Sequence, residues 1–164
     1  MIIVGFDPGL ATLGYGVISL DKKRRAEVVD YGVVLTPKEE NLAVRLCLLE
    51  QGVKQVIDKF KPEQIAVEEL FFAKNVTTGI NVAHARGVLL LTAVKECGNI
   101  FEYTPLQIKQ ALTGYGRADK NQIQQMVKTL LGLKTVPKPD DAADALAVAL
   151  THAQTNRMGG MFRI

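Results

Sequence analysis

The hydrophobic positions in the first part of the chain predict three strands joined by short turns. Residues 2–6 form a β-branched and aromatic run that ends at Asp7. Residues 14–18 and 26–35 form two further runs with the spacing of strands. Short turns between such runs are typical of an antiparallel meander. We therefore expect Asp7 at the exposed end of the first hairpin.

From residue 41 onward the hydrophobic spacing changes to three and four residues, which predicts helices between shorter strands. Helices are expected over residues 41–60, 76–97, 105–112, 120–131 and 141–153, and strands over residues 64–68 and 100–103. A strand that returns through a helical crossover pairs in parallel. The pattern therefore predicts an α/β fold with a mixed five-stranded sheet, three strands antiparallel and two parallel, and helices on both faces.

Length and composition indicate one cytoplasmic domain over residues 1–164. Cys47 and Cys97 have no His or Cys at ligand spacing, which argues against a zinc site and for reduced thiols. The N-terminus does not resemble a signal peptide, and no apolar run is long enough to cross a bilayer. We expect a protein without membrane attachment that ends in a short flexible tail over about residues 157–164.

Acidic residues stand at the ends of three predicted elements. Asp7 and Glu68 each end a buried strand. Asp141 and Asp144 share one face of the first turn of the last helix. If the fourth strand lies beside the first, both strand ends open at the edge where α/β sheets bind ligands. Because side chains alternate along a strand, Glu68 and its neighbour Glu69 are equally good candidates at this point.

These acids have structural explanations as well as a chemical one. Asp7 could cap a Pro-Gly turn, and Asp141 and Asp144 could complement the helix macrodipole. The coincidence of three acidic element ends favours chemistry. Four carboxylates without His or Cys indicate Mg²⁺ or Mn²⁺, and two such ions catalyse phosphoryl transfer. Gathering four acids in one site also leaves the remaining surface more basic than the net charge of +3 indicates, which favours a polyanionic partner.

Five motifs resemble those of the RuvC family of Holliday junction resolvases, within the ribonuclease H-like superfamily. They are GFDPGLATLGYGV, AVEELFFAKN, AHARGV, QIKQALTGYGRADKNQI and DDAADALAVALTH, and they span the chain nearly end to end. The resemblance implies that the metal-binding catalytic acids are Asp7, Glu68, Asp141 and Asp144. It selects Glu68 over Glu69, a choice that strand alternation leaves open.

The same resemblance implies an endonuclease that nicks four-way DNA junctions symmetrically in recombination and repair. It would use two Mg²⁺ ions per active site, with Mn²⁺ as a substitute, and cooperate with a branch-migration helicase. The resemblance also implies a homodimer. The helix over residues 76–97 is apolar on more than one side, and its Leu90 is expected to face outward toward the partner copy.

Six residues are expected to contact DNA on the basis of this resemblance. Phe71 is the candidate for stacking on unpaired bases, and Phe72 is expected in the core. Lys109 and Lys120 match family lysines near the scissile phosphate. Further phosphate contacts are expected from Lys74, Arg86 and Arg117, each of which could equally be a solvated surface residue.

Three other interpretations stay open. The Asp7-Pro8-Gly9 turn followed by Gly14 and Gly16 also resembles the phosphate loop of actin-like ATPases, although 164 residues leave no room for their second domain. A related nuclease could share the acids and cut another nucleic acid. A non-catalytic DNA-binding scaffold would be expected to lack part of the acid set. His84 and His152 are expected to be structural.

Overall fold

The computed structural model describes residues 1–69, 76–155 and 162–164, and this part of the chain contains five strands and five helices. The strands are β1 (Ile2–Asp7), β2 (Thr12–Leu20), β3 (Ala26–Leu35), β4 (Gln64–Glu68) and β5 (Ile100–Tyr103). The helices are α1 (Leu42–Phe60), α2 (Val76–Glu96), α3 (Pro105–Thr113), α4 (Lys120–Leu130) and α5 (Asp140–Thr155). The predicted elements are confirmed, and their bounds shift by at most two residues.

The strands form one mixed sheet in the order β3-β2-β1-β4-β5. Strand β2 pairs antiparallel with both β1 and β3, whereas β4 pairs parallel with both β1 and β5. The prediction of three antiparallel and two parallel strands is therefore confirmed. Because β1 and β4 are parallel neighbours, with Phe6 opposite Val67, their carboxyl ends lie side by side.

Helices cover both faces of this sheet, because the side chains of the central strands alternate between two apolar clusters. Val4 and Phe6 of β1 pack with α1 and α2 on one face. Ile3 of β1 and Ala66 of β4 pack with α3, α4 and α5 on the other. Helix α5 is the central helix of this second face and lies against β1, β2 and β3.

Glycines let α5 approach the sheet more closely than any side chain would permit. A Cβ atom on Gly5 would lie 2.2 Å from the carbonyl oxygen of Ala145, and one on Gly14 would lie 2.0 Å from that of Asp141. On Gly16 it would lie 2.6 Å from the amide nitrogen of Leu146. The backbone of α5 therefore rests directly on β1 and β2, which is a typical use of glycine within a strand.

The last three residues add to the free edge of the sheet. The amide of Glu102 donates to the carbonyl of Phe162 at 2.9 Å, and the amide of Ile164 donates to the carbonyl of Ile100 at 3.0 Å. The ring of Phe162 packs 5.0 Å from that of Tyr103. Residues 162–164 of the expected tail therefore pair with β5, which is an edge strand with free backbone groups.

Buried His152 connects α5 to the parallel strands β4 and β5. Its Nδ1 lies 2.7 Å from the Tyr103 hydroxyl on β5, and its Nε2 lies 2.8 Å from Oε1 of Gln64 on β4. A neutral imidazole that accepts from Tyr103 and donates to Gln64 satisfies both contacts. The structural role expected for His152 is thus confirmed, whereas His84 is exposed on α2.

We expect His152 to make the protein sensitive to acid. Burial, with a smaller contribution from the charge of Arg24, lowers the pKa of His152 to about 4 from 6.5. The stabilisation that depends on neutral His152 is therefore fully present above pH 6.5 and is lost as the pH falls from 6.5 to 4. The shift corresponds to about 3 kcal/mol of unfolding free energy.

Urea unfolding of wild type and His152→Gln between pH 4 and pH 7.5 measures this dependence, because glutamine cannot ionise. The stability difference between the two proteins should shrink as the pH falls. His84→Gln is the matched control and should follow wild type at every pH. Equal pH dependence in all three proteins would mean that His152 does not carry the effect.

Candidate active site

The parallel pairing of β1 and β4 places Asp7 and Glu68 next to each other at the carboxyl edge of the sheet. Ala66 packs on the α5 face whereas Val67 packs on the opposite face, so Glu68 points toward α5. Glu69 is exposed beyond the end of the strand. The strand register thus distinguishes the two adjacent glutamates.

The N-terminal turn of α5 brings the other two acids to the same edge. Gly14 is the antiparallel partner of Asp7, and the backbone of Asp141 lies directly over Gly14. One helical turn further on, Asp144 is close enough to raise the pKa values of both Asp7 and Glu68 by charge repulsion. Four carboxylates from three separate elements therefore converge at one place.

This convergence disfavours the ionised form of the acids. Burial raises the pKa of Asp7 to about 8, reinforced by the negative charges of Glu68, Asp144 and Asp141. Protonated Asp7 donates a hydrogen bond to Glu68. Burial also raises the pKa of Glu68, with a further contribution from Asp144. A positive charge among these carboxylates would therefore favour their ionised form.

Lys120, the first residue of α4, contacts the acid cluster. Its Nζ donates to Asp144 Oδ2 at 3.0 Å and lies 3.6 Å from Asp140 Oδ2. Burial alone would lower the pKa of Lys120, but the hydrogen bond to Asp144 and the charges of Asp144 and Asp140 outweigh it and raise the pKa. Burial in turn raises the pKa of Asp144 despite this lysine.

The donor set fits a hard divalent cation. Within residues 1–69, 76–155 and 162–164, no three His, Cys, Asp or Glu side chains are arranged as a finished metal site. In this arrangement burial and the neighbouring acids favour a proton on Asp7, and Asp144 is paired with Lys120. A divalent cation would substitute for both positive partners, and oxygen ligands suit Mg²⁺ or Mn²⁺.

Two clefts flank the acids. One has a volume of about 200 Å³ and is lined by Glu68 and Asp144 together with Lys109 and Lys120. The other has a volume of about 360 Å³ and lies between the β1–β2 turn, α1 and α2, with Asp141 in its wall. Sequence patterns did not point to the second cleft, because only Asp141 in its wall belongs to an acidic motif and its other residues come from the β1–β2 turn, the start of β2, α1 and α2.

In the structure, the residues expected to contact DNA lie in different environments. Lys109 lines the first cleft, and Arg117 is exposed in the connection from α3 to α4. Arg86 forms an ion pair with Glu102 and is only 20% exposed, so its charge is already compensated. Phe71 and Lys74 lie outside the described residues, as does Phe72.

The expected dimer helix has one exposed apolar face. Ile80, Leu91 and Val94 of α2 are about half exposed. They follow one side of the helix, together with exposed His84 and Gly87. Leu90, which was expected to face outward, packs instead against the core beneath the sheet. That expectation is wrong because a helix that is apolar on several sides does not reveal which side is covered.

The glycines that resemble an actin-like phosphate loop are not open to a ligand. The space where Gly14 and Gly16 would carry side chains is filled by the backbone of α5. These glycines therefore serve contact between helix and sheet.

Among the helices in the described part of the chain, none has the length and hydrophobicity of a membrane span.

Comparison with known proteins identifies the family to which this acid cluster belongs. Residues 3–152 match the family described as crossover junction endodeoxyribonuclease RuvC. This chain belongs to the RuvC family. The RuvC protein of Alkaliphilus oremlandii is 54% identical over 100% of this chain and 99% of that protein, and the RuvC of Clostridioides difficile is 51% identical over 96% of this chain and 93% of that protein.

Solved structures agree with this assignment. Thermus thermophilus RuvC in complex with Holliday junction substrate has a TM-score of 0.92 and 39% identity, covering 100% of this chain and 99% of that chain. The yeast mitochondrial Holliday junction resolvase Ydc2 has a TM-score of 0.66 at 16% identity over 93% of this chain and 78% of that chain, and it supports the fold alone. The ribonuclease H-like fold expected from the sequence is thereby confirmed.

Proposed function

We propose that this RuvC family protein resolves four-way DNA junctions by paired, symmetric nicks, through metal-dependent hydrolysis of phosphodiester bonds. The observation that carries the proposal is the convergence of Asp7, Glu68, Asp141 and Asp144, from β1, β4 and α5, at one edge of the sheet. The resemblance to Thermus RuvC bound to a Holliday junction supports the choice of substrate. Recombination and repair in the cytoplasm are the corresponding cellular role, together with a branch-migration helicase as partner.

In the proposed mechanism the four carboxylates hold two Mg²⁺ ions, for which Mn²⁺ can substitute. Bound at these residues, the ions would supply Lewis-acid chemistry that lowers the pKa of a water molecule and stabilises charge on the departing 3′-oxygen. Asp7, whose pKa is raised to about 8 by burial and by the negative charges of Glu68, Asp144 and Asp141, would release its proton when a cation binds. Lys109 and Lys120 bind the phosphate next to the scissile bond from the adjoining cleft. The remaining contacts proposed for DNA are Phe71, Lys74 and Arg117, and Arg86 would join them only on release from its ion pair with Glu102.

Incubation with a synthetic four-way junction and with a linear duplex of the same sequence tests this function. With Mg²⁺, paired nicks at symmetric positions should appear in the junction alone, and without metal neither substrate should be cut. Equal cutting of duplex and junction would contradict the proposal and favour the related nuclease with another substrate.

Lys120→Ala is expected to separate phosphate binding from metal binding. Loss of the phosphate contact should slow junction cleavage at least tenfold. It should also reduce the slope of log K for binding against log salt by about one. Release of Asp144 from its 3.0 Å contact should at the same time lower the Mg²⁺ concentration needed for half-maximal cleavage. Lys128→Ala, in the last turn of the same helix, is the matched control. A Mg²⁺ requirement that rises in Lys120→Ala would contradict the competition between lysine and metal.

We further propose a homodimer that pairs through the exposed apolar face of α2. Leu91→Glu should convert the dimer to a soluble monomer that nicks one strand per encounter, because a charge would be buried at a two-fold contact. Leu106→Glu, at a comparably exposed leucine on α3, should remain dimeric. Light scattering measures both masses. A dimeric Leu91→Glu protein would place the interface elsewhere.

A further inference from the structure

The second cleft beside the acids contains a cation that no sequence motif singled out. Arg45 of α1 lines this cleft together with Thr12 of β2, Asn81 of α2 and Asp141 of α5. The volume of this second cleft, about 360 Å³, exceeds that of the first cleft, which is lined by Lys109 and Lys120. Because Asp141 lies in its wall, the second cleft adjoins the acid cluster directly.

Arg45 is held in place by one end of its guanidinium group. Its Nε donates to the Thr36 hydroxyl at 2.9 Å, and that hydroxyl donates to the carbonyl of Leu10 at 2.5 Å. The amide of Thr36 also donates to the carbonyl of Ala11 at 3.1 Å. These bonds connect Arg45 to the turn after β1 that follows Asp7. The arginine is therefore oriented before any ligand binds, which lowers the entropic cost of binding.

The two Nη nitrogens at the other end of the guanidinium group are available to bind a ligand. Throughout the described ranges, neither Nη nitrogen of Arg45 has a hydrogen bond or a carboxylate within salt-bridge distance. The partly buried position beside the cleft strengthens its field, because less water screens the charge. Two parallel N–H donors match the two free oxygens of a phosphodiester.

Arg45 lies where a positive charge would reduce the repulsion between DNA phosphates and the acid cluster. A DNA strand that crosses four carboxylates needs cations on both sides of them, because each phosphate is repelled by the acids. Lys109 and Lys120 supply cations in the first cleft only. Arg45 supplies one in the second cleft, across the acids from those lysines.

We propose that Arg45 binds a backbone phosphate of the strand that is cut, on the opposite side of the scissile bond from Lys109 and Lys120. The inference rests on the proposed function, since it assumes that DNA lies across the acid cluster. Thr36 is a positioning residue for this contact, because it fixes the guanidinium without reaching the cleft itself.

Binding of a four-way junction without metal, measured by fluorescence anisotropy over a series of salt concentrations, tests the charge. Arg45→Gln should weaken binding and reduce the slope of log K against log salt by about one. Thr36→Val should keep the wild-type slope because the charge stays. An unchanged slope in Arg45→Gln, or an equal loss of slope in Thr36→Val, would overturn the proposal.

A scan with single neutral methylphosphonates along the cut strand locates the contact. One substituted phosphate should weaken wild type and leave Arg45→Gln unaffected, and Lys120→Ala should be insensitive at a phosphate on the other side of the cut. The same insensitive position for both variants, or none for Arg45→Gln, would contradict the assignment. The salt slope can also be measured on linear DNA, so a protein that fails to cut junctions would refute the proposed function while Arg45 is still judged on its slope.

Discussion

Asp7→Asn should abolish junction cleavage, by at least a thousandfold, and yet make the metal-free protein more stable. The carboxylate is an essential ligand in the proposed site, and its amide supplies no negative charge to a cation. Without metal, however, burial raises the pKa of Asp7 to about 8, and the negative charges of Glu68, Asp144 and Asp141 add to this effect. Replacing it with a neutral side chain removes that repulsion.

The direction of the pH effect follows from this raised pKa. Between about pH 4 and pH 8 the folded protein keeps a proton on Asp7 that the unfolded chain releases, so the stability of the metal-free protein falls as the pH rises. Asp7→Asn should lose this dependence and melt about 5 to 10 °C higher at pH 7.5 in the presence of a chelator. Junction binding should hold or tighten, because one negative charge fewer repels the phosphates.

Thermal unfolding in chelator, together with single-turnover cleavage in Mg²⁺, measures both effects on the same preparation. Asp58→Asn is a suitable control because Asp58 is an exposed acid on α1 paired with Lys54 and Lys61. It should cut normally and gain no stability. If Asp7→Asn were less stable than wild type at pH 7.5, the crowding of carboxylates inferred for the site would be wrong.

Gly14→Ala is expected to disable the site without removing any of its acids. The added Cβ would lie 2.0 Å from the carbonyl oxygen of Asp141, which is far inside van der Waals contact. Because that neighbour is helix backbone, the start of α5 must move. Asp141 and Asp144 would then shift relative to Asp7, the strand partner of Gly14. We expect metal affinity to fall about 10- to 100-fold, as for the loss of other groups that orient ligands, with cleavage falling at least as much.

A matched glycine on the other face of the sheet separates this effect from general destabilisation. A Cβ on Gly52 of α1 would lie 2.3 Å from Cγ1 of Val34, so Gly52→Ala crowds a helix against the sheet without touching α5. Gly52→Ala should lower the melting temperature and leave the Mg²⁺ requirement unchanged. Calorimetric titration of Mn²⁺ into each DNA-free protein provides a readout independent of cleavage. Wild-type metal affinity in Gly14→Ala would show that α5 is not positioned through this contact.

Local sequence was sufficient for the elements and insufficient for several contacts between them. The β-branched and aromatic run before Asp7 and the period-three and period-four spacing of α1 predicted the strands and helices because each depends on neighbours along the chain. The choice between Glu68 and Glu69 required the register of β4 against β1, which no single strand contains. Family resemblance selected Glu68 in advance, and the register points the same way.

The contacts that were not predicted join residues far apart in sequence. Arg86 was expected to be available for phosphate, but its partner Glu102 lies on β5. Pairing of residues 162–164 with β5 likewise depends on where the chain end returns in space. Arg45 stands in an ordinary amphipathic helix, and only the packing of α1 beside the β1–β2 turn brings it to the acids.

The most direct test of the catalytic centre compares two adjacent glutamates that differ in their position at the end of β4. Single-turnover cleavage of a four-way junction should be measured for Glu68→Gln and Glu69→Gln while Mg²⁺ is titrated. We predict that Glu68→Gln is inactive at every Mg²⁺ concentration, and that Glu69→Gln, at an exposed position, has the wild-type rate and Mg²⁺ requirement. Normal cleavage by Glu68→Gln, or equal losses in both variants, would contradict the four-carboxylate site.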